Sequence, residues 1–365
     1  VSRRRWLWLA GAGAALIAAG VLWAGLREPL ALRLMERGLR ANMQANLLDE
    51  LPDGLHLVLC GAGSPLPDVE RGGPCAAVIA GRRLFVVDAG AGAARTMARL
   101  RLPPGEIEAI LLTHFHSDHL DGLGELLLQR WIGSASQTPT PVHGPEGVGQ
   151  VVAGFALAYA QDSTYRTAHH GPGIAPPSGA GATAQPFATP PPGQGHVVIG
   201  AAAGPGALRV TAFRVDHAPV APAVGYRFDY AGRSLLLSGD TARSANLLRF
   251  AKGVDLLVHD ALSPWLVDRM TEAAEAAQRP RLAKITRDIR DYHASPVQVA
   301  ELAREAGAKR LLFHHIVPPL PLAPLQGLFL RGVRQRYPGP VSIGRDGSAV
   351  SLPARGKENE LRQLF

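Results

Sequence analysis

The sequence predicts an α/β fold, an αββα sandwich in which two mixed sheets stack and helices cover the outside. Three observations lead there. Strand-like apolar runs fill residues 55–112, strand and helix runs alternate after residue 120, and a dense histidine cluster stands where the two halves join. Strand runs on one side and strand-plus-helix runs on the other make two half-units, whose strand ends meet at one edge. A hydrophobic fraction of 47% in 365 residues is ample for the core of one large domain. Two cysteines exclude a disulfide-dense scaffold and a Cys-rich zinc module. The formal net charge of +8 is uneven: seven arginines and only Glu28 and Glu36 lie in residues 1–40. The remainder is close to balanced, which argues against a nucleic-acid binder driven by charge alone.

Trp6 to Leu26 carries no charged residue. As a helix it would reach about 31 Å, enough to span a bilayer. Trp6, Trp8 and Trp23 lie near its ends and Arg3-Arg4-Arg5 precedes it. The expectation is an N-terminal transmembrane helix over residues 1–27, single-pass, with the main domain periplasmic or otherwise extracytoplasmic. A cleaved signal peptide fits less well, because Leu22-Trp23-Ala24 is a poor cleavage site. Residues 28–53 read as an amphipathic juxtamembrane helix and linker, with Leu30, Leu34, Met35, Leu39 and Met43 at helical spacing and a turn at Pro52-Asp53-Gly54. Residues 54–353 form the main domain and 354–365 a polar tail.

Within the main domain, Leu55–Cys60, Ala76–Ala80 and Arg83–Val87 read as strands, the first followed by a glycine-rich loop from Gly61. Cys60 and Cys75 flank that loop, either paired in an oxidising compartment or as two buried thiols. Val148–Ala160 reads as a helix and 171–206, rich in Gly, Ala and Pro, as a long mobile loop, with the adjacent pair His169-His170 at its root as candidates to reach substrate. Leu208–Val215 is a strand ending at Asp216-His217. A hairpin turns at Ala231-Gly232-Arg233, and the strand after it leads to Ser238-Gly239-Asp240. Val254–Val258 ends at His259-Asp260. Ser295 caps a helix with Pro296 at its first position, and His293 lies just before it. Leu311–Phe313 ends at His314-His315, Leu322–Arg336 is helical, and Val341–Leu352 is a hairpin around Asp346-Gly347.

The chemistry concentrates in Thr113-His114-Phe115-His116-Ser117-Asp118-His119, directly after the apolar run Ile110-Leu111-Leu112. Side chains alternate along a strand, so His114 and His116 share one side. Asp118 and His119, past the turn, face a second point nearby, as two metal ions in one hydrolytic site require. A histidine-rich run at the mouth of a strand has little packing use.

This run resembles the His-x-His-x-Asp-His metal signature of the metallo-β-lactamase fold superfamily. The likeness covers roughly Leu55 to Leu352 and is nearest to the ribonuclease Z-like branch with its related arylsulfatases and phosphodiesterases. The resemblance implies that His114, His116 and His217 hold one metal, that Asp118, His119 and His315 hold the other, and that Asp240 bridges both. Two zinc ions are expected, with manganese or iron as alternatives, and Asp88 is expected beneath them. His315 is preferred over His314 because His315-Ile316-Val317-Pro318 fits the family's frame. Asp118 is also placed to accept a proton from the attacking water. His293, oriented by Asp260, is the candidate for protonating the leaving group.

The expected activity is hydrolysis of small phosphodiesters by a membrane-anchored enzyme, with sulfate-ester hydrolysis as an alternative and a non-catalytic protein with a relic site as a further one. β-Lactam hydrolysis is disfavoured, because those enzymes lack a counterpart of Asp240. RNA is disfavoured as substrate. Only 22 residues separate His217 from Asp240, too few for the tRNA-gripping arm of the family, and 171–206 contains no Lys or Arg. Monomer or homodimer is left open.

Overall fold

The computed structural model describes residues 3–200, 207–356 and 359–364. They divide into two compact units, Val1–Asn46 and Leu47–Phe365. The first is one helix, Arg3–Gln44, with Pro29 inside it. Here the structure corrects the sequence reading. Among the described residues no helix is long and apolar enough to cross a membrane. The uncharged stretch is about half Gly and Ala, and the helix continues unbroken into Arg27, Glu28, Arg33, Glu36 and Arg37. The transmembrane anchor, the membrane as a partner and the single-pass extracytoplasmic location are withdrawn with it.

The second unit opens with Leu47–Glu50, a helical turn whose Leu47 and Leu48 are buried. Its strands are β1 (Gly54–Gly61), β2 (Cys75–Ala80), β3 (Arg83–Val87), β4 (Ile107–Leu111), β5 (Thr140–Pro145), β6 (Ala182–Phe187), β7 (His196–Ile199), β8 (Arg209–Arg214), β9 (Val224–Tyr230), β10 (Arg233–Leu237), β11 (Leu256–Leu262), β12 (Leu311–Val317), β13 (Val341–Ile343), β14 (Ser348–Pro353) and β15 (Glu360–Gln363). One sheet runs β15-β14-β1-β2-β3-β4-β5-β6 and the other β13-β12-β11-β10-β9-β8-β7. Both are mixed. The first is parallel from β3 to β6 and the second from β10 to β13.

Alternation along each strand builds the layers. Phe85, Val87 and Leu111 face inward and meet Val210, Tyr226, Phe228, Leu235 and Leu312 of the opposite sheet. Val86 and Ile110 face outward under Met97, Leu126 and Val148 of the covering helices. On the far side Leu236, Leu257 and Leu311 lie under Leu247, Val299 and Leu302. Central strands with two buried faces read as continuous apolar runs, which is why Leu84–Val87 and Leu256–Val258 were so plain in sequence. The αββα sandwich is therefore the observed architecture.

Four local expectations change. The stretch 171–200 is not a free loop: β6 pairs with β5 and β7 with β8, extending an edge of each sheet. Residues 201–206 of that stretch lie outside the described residues. Val341–Leu352 is not a hairpin, since β13 joins β12 and β14 joins β1 in the other sheet. The Asp346 carboxylate accepts from the Ala62 and Gly72 amides at 3.0 and 2.9 Å, which pins the Asp346-Gly347 segment to the glycine-rich loop. The tail also contributes a strand, as β15 pairs with β14. The helix expected to end at Ala160 runs on to His170, and Cys60 and Cys75 form a disulfide.

Candidate metal centre and active site

The His-rich loop is fixed from below. Asp88, just past β3, adopts a left-handed backbone with φ 58°. Its carboxylate accepts from the Thr113 amide at 2.8 Å, from the Thr113 hydroxyl at 2.9 Å and from His119 Nδ1 at 2.9 Å. That last bond sets the His119 tautomer and leaves Nε2 for the site. The loop also lies close against the turn after β3. A Cβ on Gly90 would come within 2.5 Å of the Asp118 carbonyl oxygen, so a side chain there would push the loop away.

Four elements besides this loop deliver the remaining groups. His217 follows β8, and its Nδ1 donates to the Tyr292 carbonyl at 3.0 Å. Asp240 follows β10 through Gly239, whose φ of +62° and a clash at 2.8 Å with the Val224 carbonyl exclude a Cβ. Asp260 lies on β11. His315 lies on β12 at an irregularity in the pairing with β11, where Asp260 faces His314 and Ala261 faces Ile316. Its φ of 46° turns it toward the histidine loop. His314 points elsewhere. It is buried, neither ring nitrogen has a hydrogen-bond partner, and burial lowers its pKa to about 3. It belongs to none of the groupings that could hold a metal.

The donor atoms converge. Asp240 Oδ2 lies 3.2 Å from His315 Nε2, 3.4 Å from His119 Nε2, 3.8 Å from His114 Nε2 and 3.9 Å from His217 Nε2. Asp118 Oδ2 is 3.2 Å from His315 Nε2 and 3.6 Å from His119 Nε2, and His114 Nε2 is 3.0 Å from His116 Nδ1. Donors at about 2.0–2.1 Å from one tetrahedral zinc lie about 3.3 Å apart, the spacing found here. His114, His116, His217 and Asp240 make one grouping within ligand reach, and Asp118, His119 and His315 make another. His119 Nε2, His217 Nε2 and Asp240 Oδ1 are buried without any hydrogen-bond partner. Buried polar atoms are rarely left so, and the set fits a pair of metal ions that would complete them. A third grouping, Asp240, His293 and His315, overlaps these. His293 is already committed through Nδ1 to Asp260 at 2.8 Å, so its Nε2 remains for the cleft.

Charge follows the same division. Burial holds His114, His116 and His217 below the usual histidine range, which favours the neutral imidazole that a metal requires. His119 is raised well above that range: burial opposes protonation, but Asp240 and Asp88 outweigh it. His315 is raised too, Asp240 and Asp118 prevailing over burial. Burial would lift the Asp240 pKa, yet His315 and His119 hold it well below the usual carboxylate range.

Comparison with known proteins fits this geometry. The pattern of the β-lactamase superfamily domain matches residues 83–316. Ribonuclease Z of Mycobacterium sp. (strain KMS) is 35% identical over 301 residues, covering 82% of this chain and 96% of that protein. Ribonuclease Z of Mycobacterium bovis (strain BCG / Pasteur 1173P2) is 33% identical over 305 residues, covering 82% and 99%. The chain belongs to the metallo-β-lactamase superfamily, in its ribonuclease Z-like branch. The fold agrees with that of the short form of human tRNase Z, at a TM-score of 0.58 and 19% identity, with 82% of this chain and 99% of that one covered. As a ribonuclease Z-like protein the chain is a metal-dependent hydrolase of ester bonds, of the phosphodiesterase and endoribonuclease type.

Every site residue named from this ribonuclease Z-like sequence lies in one cluster. Asp260 lies against His259 and His293, and its backbone N–H donates to the Ser238 hydroxyl oxygen at 3.1 Å. Sequence reasoning assigns no role to Thr113 within its run, and it missed Tyr292 and the segment 264–290. That segment holds helices Pro264–Ala276 and Pro280–Asp288. The signal was present, since Leu282, Ile285 and Ile289 recur at helical spacing. With Leu66 and Val317, Ile285 and Ile289 border a cleft of about 320 Å³ over Asp118, Asp240, His293 and His315. His169 and His170 do not line it: they end the helix Val148–His170 and are exposed.

Proposed function

We propose that this enzyme hydrolyses phosphodiesters with two metal ions, one at His114, His116 and His217, the other at Asp118, His119 and His315, with Asp240 shared. The observation that supports this most directly is Asp240 Oδ2 standing 3.2–3.9 Å from four histidine nitrogens that belong to both groupings. Zinc suits the nitrogen-rich donor set, and manganese or iron are the alternatives. Two bound ions would supply Lewis-acid activation of the attacking water and of the phosphoryl group.

The chain's own side chains do the rest. Asp118 at the cleft floor accepts a proton from the water. His293 gives one to the departing oxygen through Nε2, while Nδ1–H donates to Asp260 at 2.8 Å. Burial would raise the Asp260 pKa, but His259 and His293 hold it low, so it remains an anion and supports the charged imidazole. The ribonuclease Z relatives favour an RNA phosphodiester as a second reading.

The test uses the purified full chain with metal analysis, bis-p-nitrophenyl phosphate and p-nitrophenyl sulfate. Close to two metal ions per chain and faster cleavage of the phosphate are expected. Reproducible metal content near zero after gentle purification, or faster cleavage of the sulfate, would overturn the proposal.

A further inference from the structure

The cleft above the metal centre has two unlike sides. Its floor is the donor cluster. Its walls are Pro65, Leu66, Ile285, Ile289, Tyr292 and Val317. Among the described residues that line it there is no Lys or Arg. Leu66, Ile289 and Val317 also pack on buried Leu262 and Val267, so this wall is backed by the core. Ile285 at the rim is 55% exposed and Leu282, on the same helix, 42%. Of that helix's cations, Lys284 pairs with Asp288 and Arg287 with Glu275, while Arg281, at its first turn, is exposed and is not among the residues that line the cleft.

A polynucleotide would bring charged phosphates on both sides of the scissile one and would need cations along its path. An apolar wall without them does the reverse, since it desolvates whatever rests on it and rejects charge. The cavity stands at the lower end of the range for small-molecule sites, which suits one side group and not a chain.

Resting on the phosphodiesterase reading, we propose that this cleft selects phosphodiesters whose non-leaving group is apolar, an alkyl or aryl chain seated against Leu66, Ile285 and Ile289. The phosphoryl group lies on the donor cluster and the apolar group runs outward toward Leu282. Burying each methylene against such a wall is worth about fourfold in kcat/KM.

The experiment compares p-nitrophenyl phosphodiesters that share one leaving group and differ in the other: methyl, hexyl, phenyl and thymidine-5′. The common nitrophenolate keeps the leaving group constant, and the methyl and hexyl esters also match in the electronic character of the other group. Hexyl and phenyl esters are expected to exceed the methyl ester at least tenfold in kcat/KM, with the thymidine ester below them. In Ile285→Lys, which changes an exposed rim residue, the hexyl-to-methyl ratio should fall. Equal values across the series, a preference for the thymidine ester, or an unchanged ratio in Ile285→Lys would overturn the proposal. No hydrolysis of any ester by zinc-loaded protein would instead remove the phosphodiesterase reading on which it rests.

Discussion

In the proposed mechanism His293 and Asp260 divide one task between them, and single substitutions separate it from metal holding. His293→Ala removes a proton donor whose partner bond is to Asp260 and not to a donor of the metal cluster. Both metals should stay, while kcat on an alkyl diester falls about 10²–10⁴-fold. A nitrophenolate departs nearly unaided, so the loss on nitrophenyl esters should be smaller. Equal losses on both would mean that His293 only positions substrate, and metal loss would make it a ligand through the Asp240, His293 and His315 grouping. A second prediction concerns protons. Without metal, His119 and His315 hold theirs above the usual histidine range because carboxylates face them. Metal must displace those protons, so binding releases them, and affinity falls as pH drops. At pH values above the raised pKa of each ring the proton is already gone and the release shrinks. Calorimetry in buffers of differing ionisation enthalpy measures it. No release anywhere between pH 6 and 8 would contradict this charge assignment.

Among the elements, β1 and β2 are joined both by pairing and by the Cys60–Cys75 disulfide, which closes a loop of separation 15 around the glycine-rich segment. A loop of that size is worth about 3 kcal/mol in chain entropy. Replacing both cysteines by serine should lower stability by about 2–4 kcal/mol in denaturant melts, and an unchanged midpoint would count against the bond's contribution. These elements also show why some of the structure was readable beforehand and some was not. His114 to His119 was legible because its pattern is local: strand, turn and ligands lie within one short segment. His217, Asp240 and His315 needed the family resemblance, because only strand order brings them to one edge. β6 was hidden because its Ala, Gln and Pro have weak strand preference and pair there on the free edge of β5, whereas the short run Val197-Val198-Ile199 of β7 was masked by the Gly, Ala and Pro around it. Asp346-Gly347 misled for a related reason. The dipeptide is a strong hairpin signal, yet Asp346 finds its partners at Ala62 and Gly72, far away in sequence. The N-terminal stretch misled by its lack of charge, a feature that does not by itself make a helix apolar enough for a bilayer.

For the whole molecule, the proposed metal centre lies where the two sheets meet, with His114, His116, Asp118 and His119 from the first and His217, Asp240 and His315 from the second within ligand reach of one another. Metal removal should therefore loosen the entire second unit. A ligand present at a hundredfold excess over its Kd stabilises by about 2.7 kcal/mol. Chelation should lower Tm by several degrees and zinc should restore it; a melting curve indifferent to chelator would contradict the linkage. The chain's route makes the same join in its backbone. β14, which arrives after the second sheet has closed, lies beside β1 at the start of the first, with β15 outside it. A stop codon soon after residue 340 would thus harm the far end of the gene product: β1 would become a bare edge, open to pairing with another molecule. β14 and β15 are synthesised after both sheets have been laid down and cover β1, so a nascent chain that has not yet made them carries an adhesive margin.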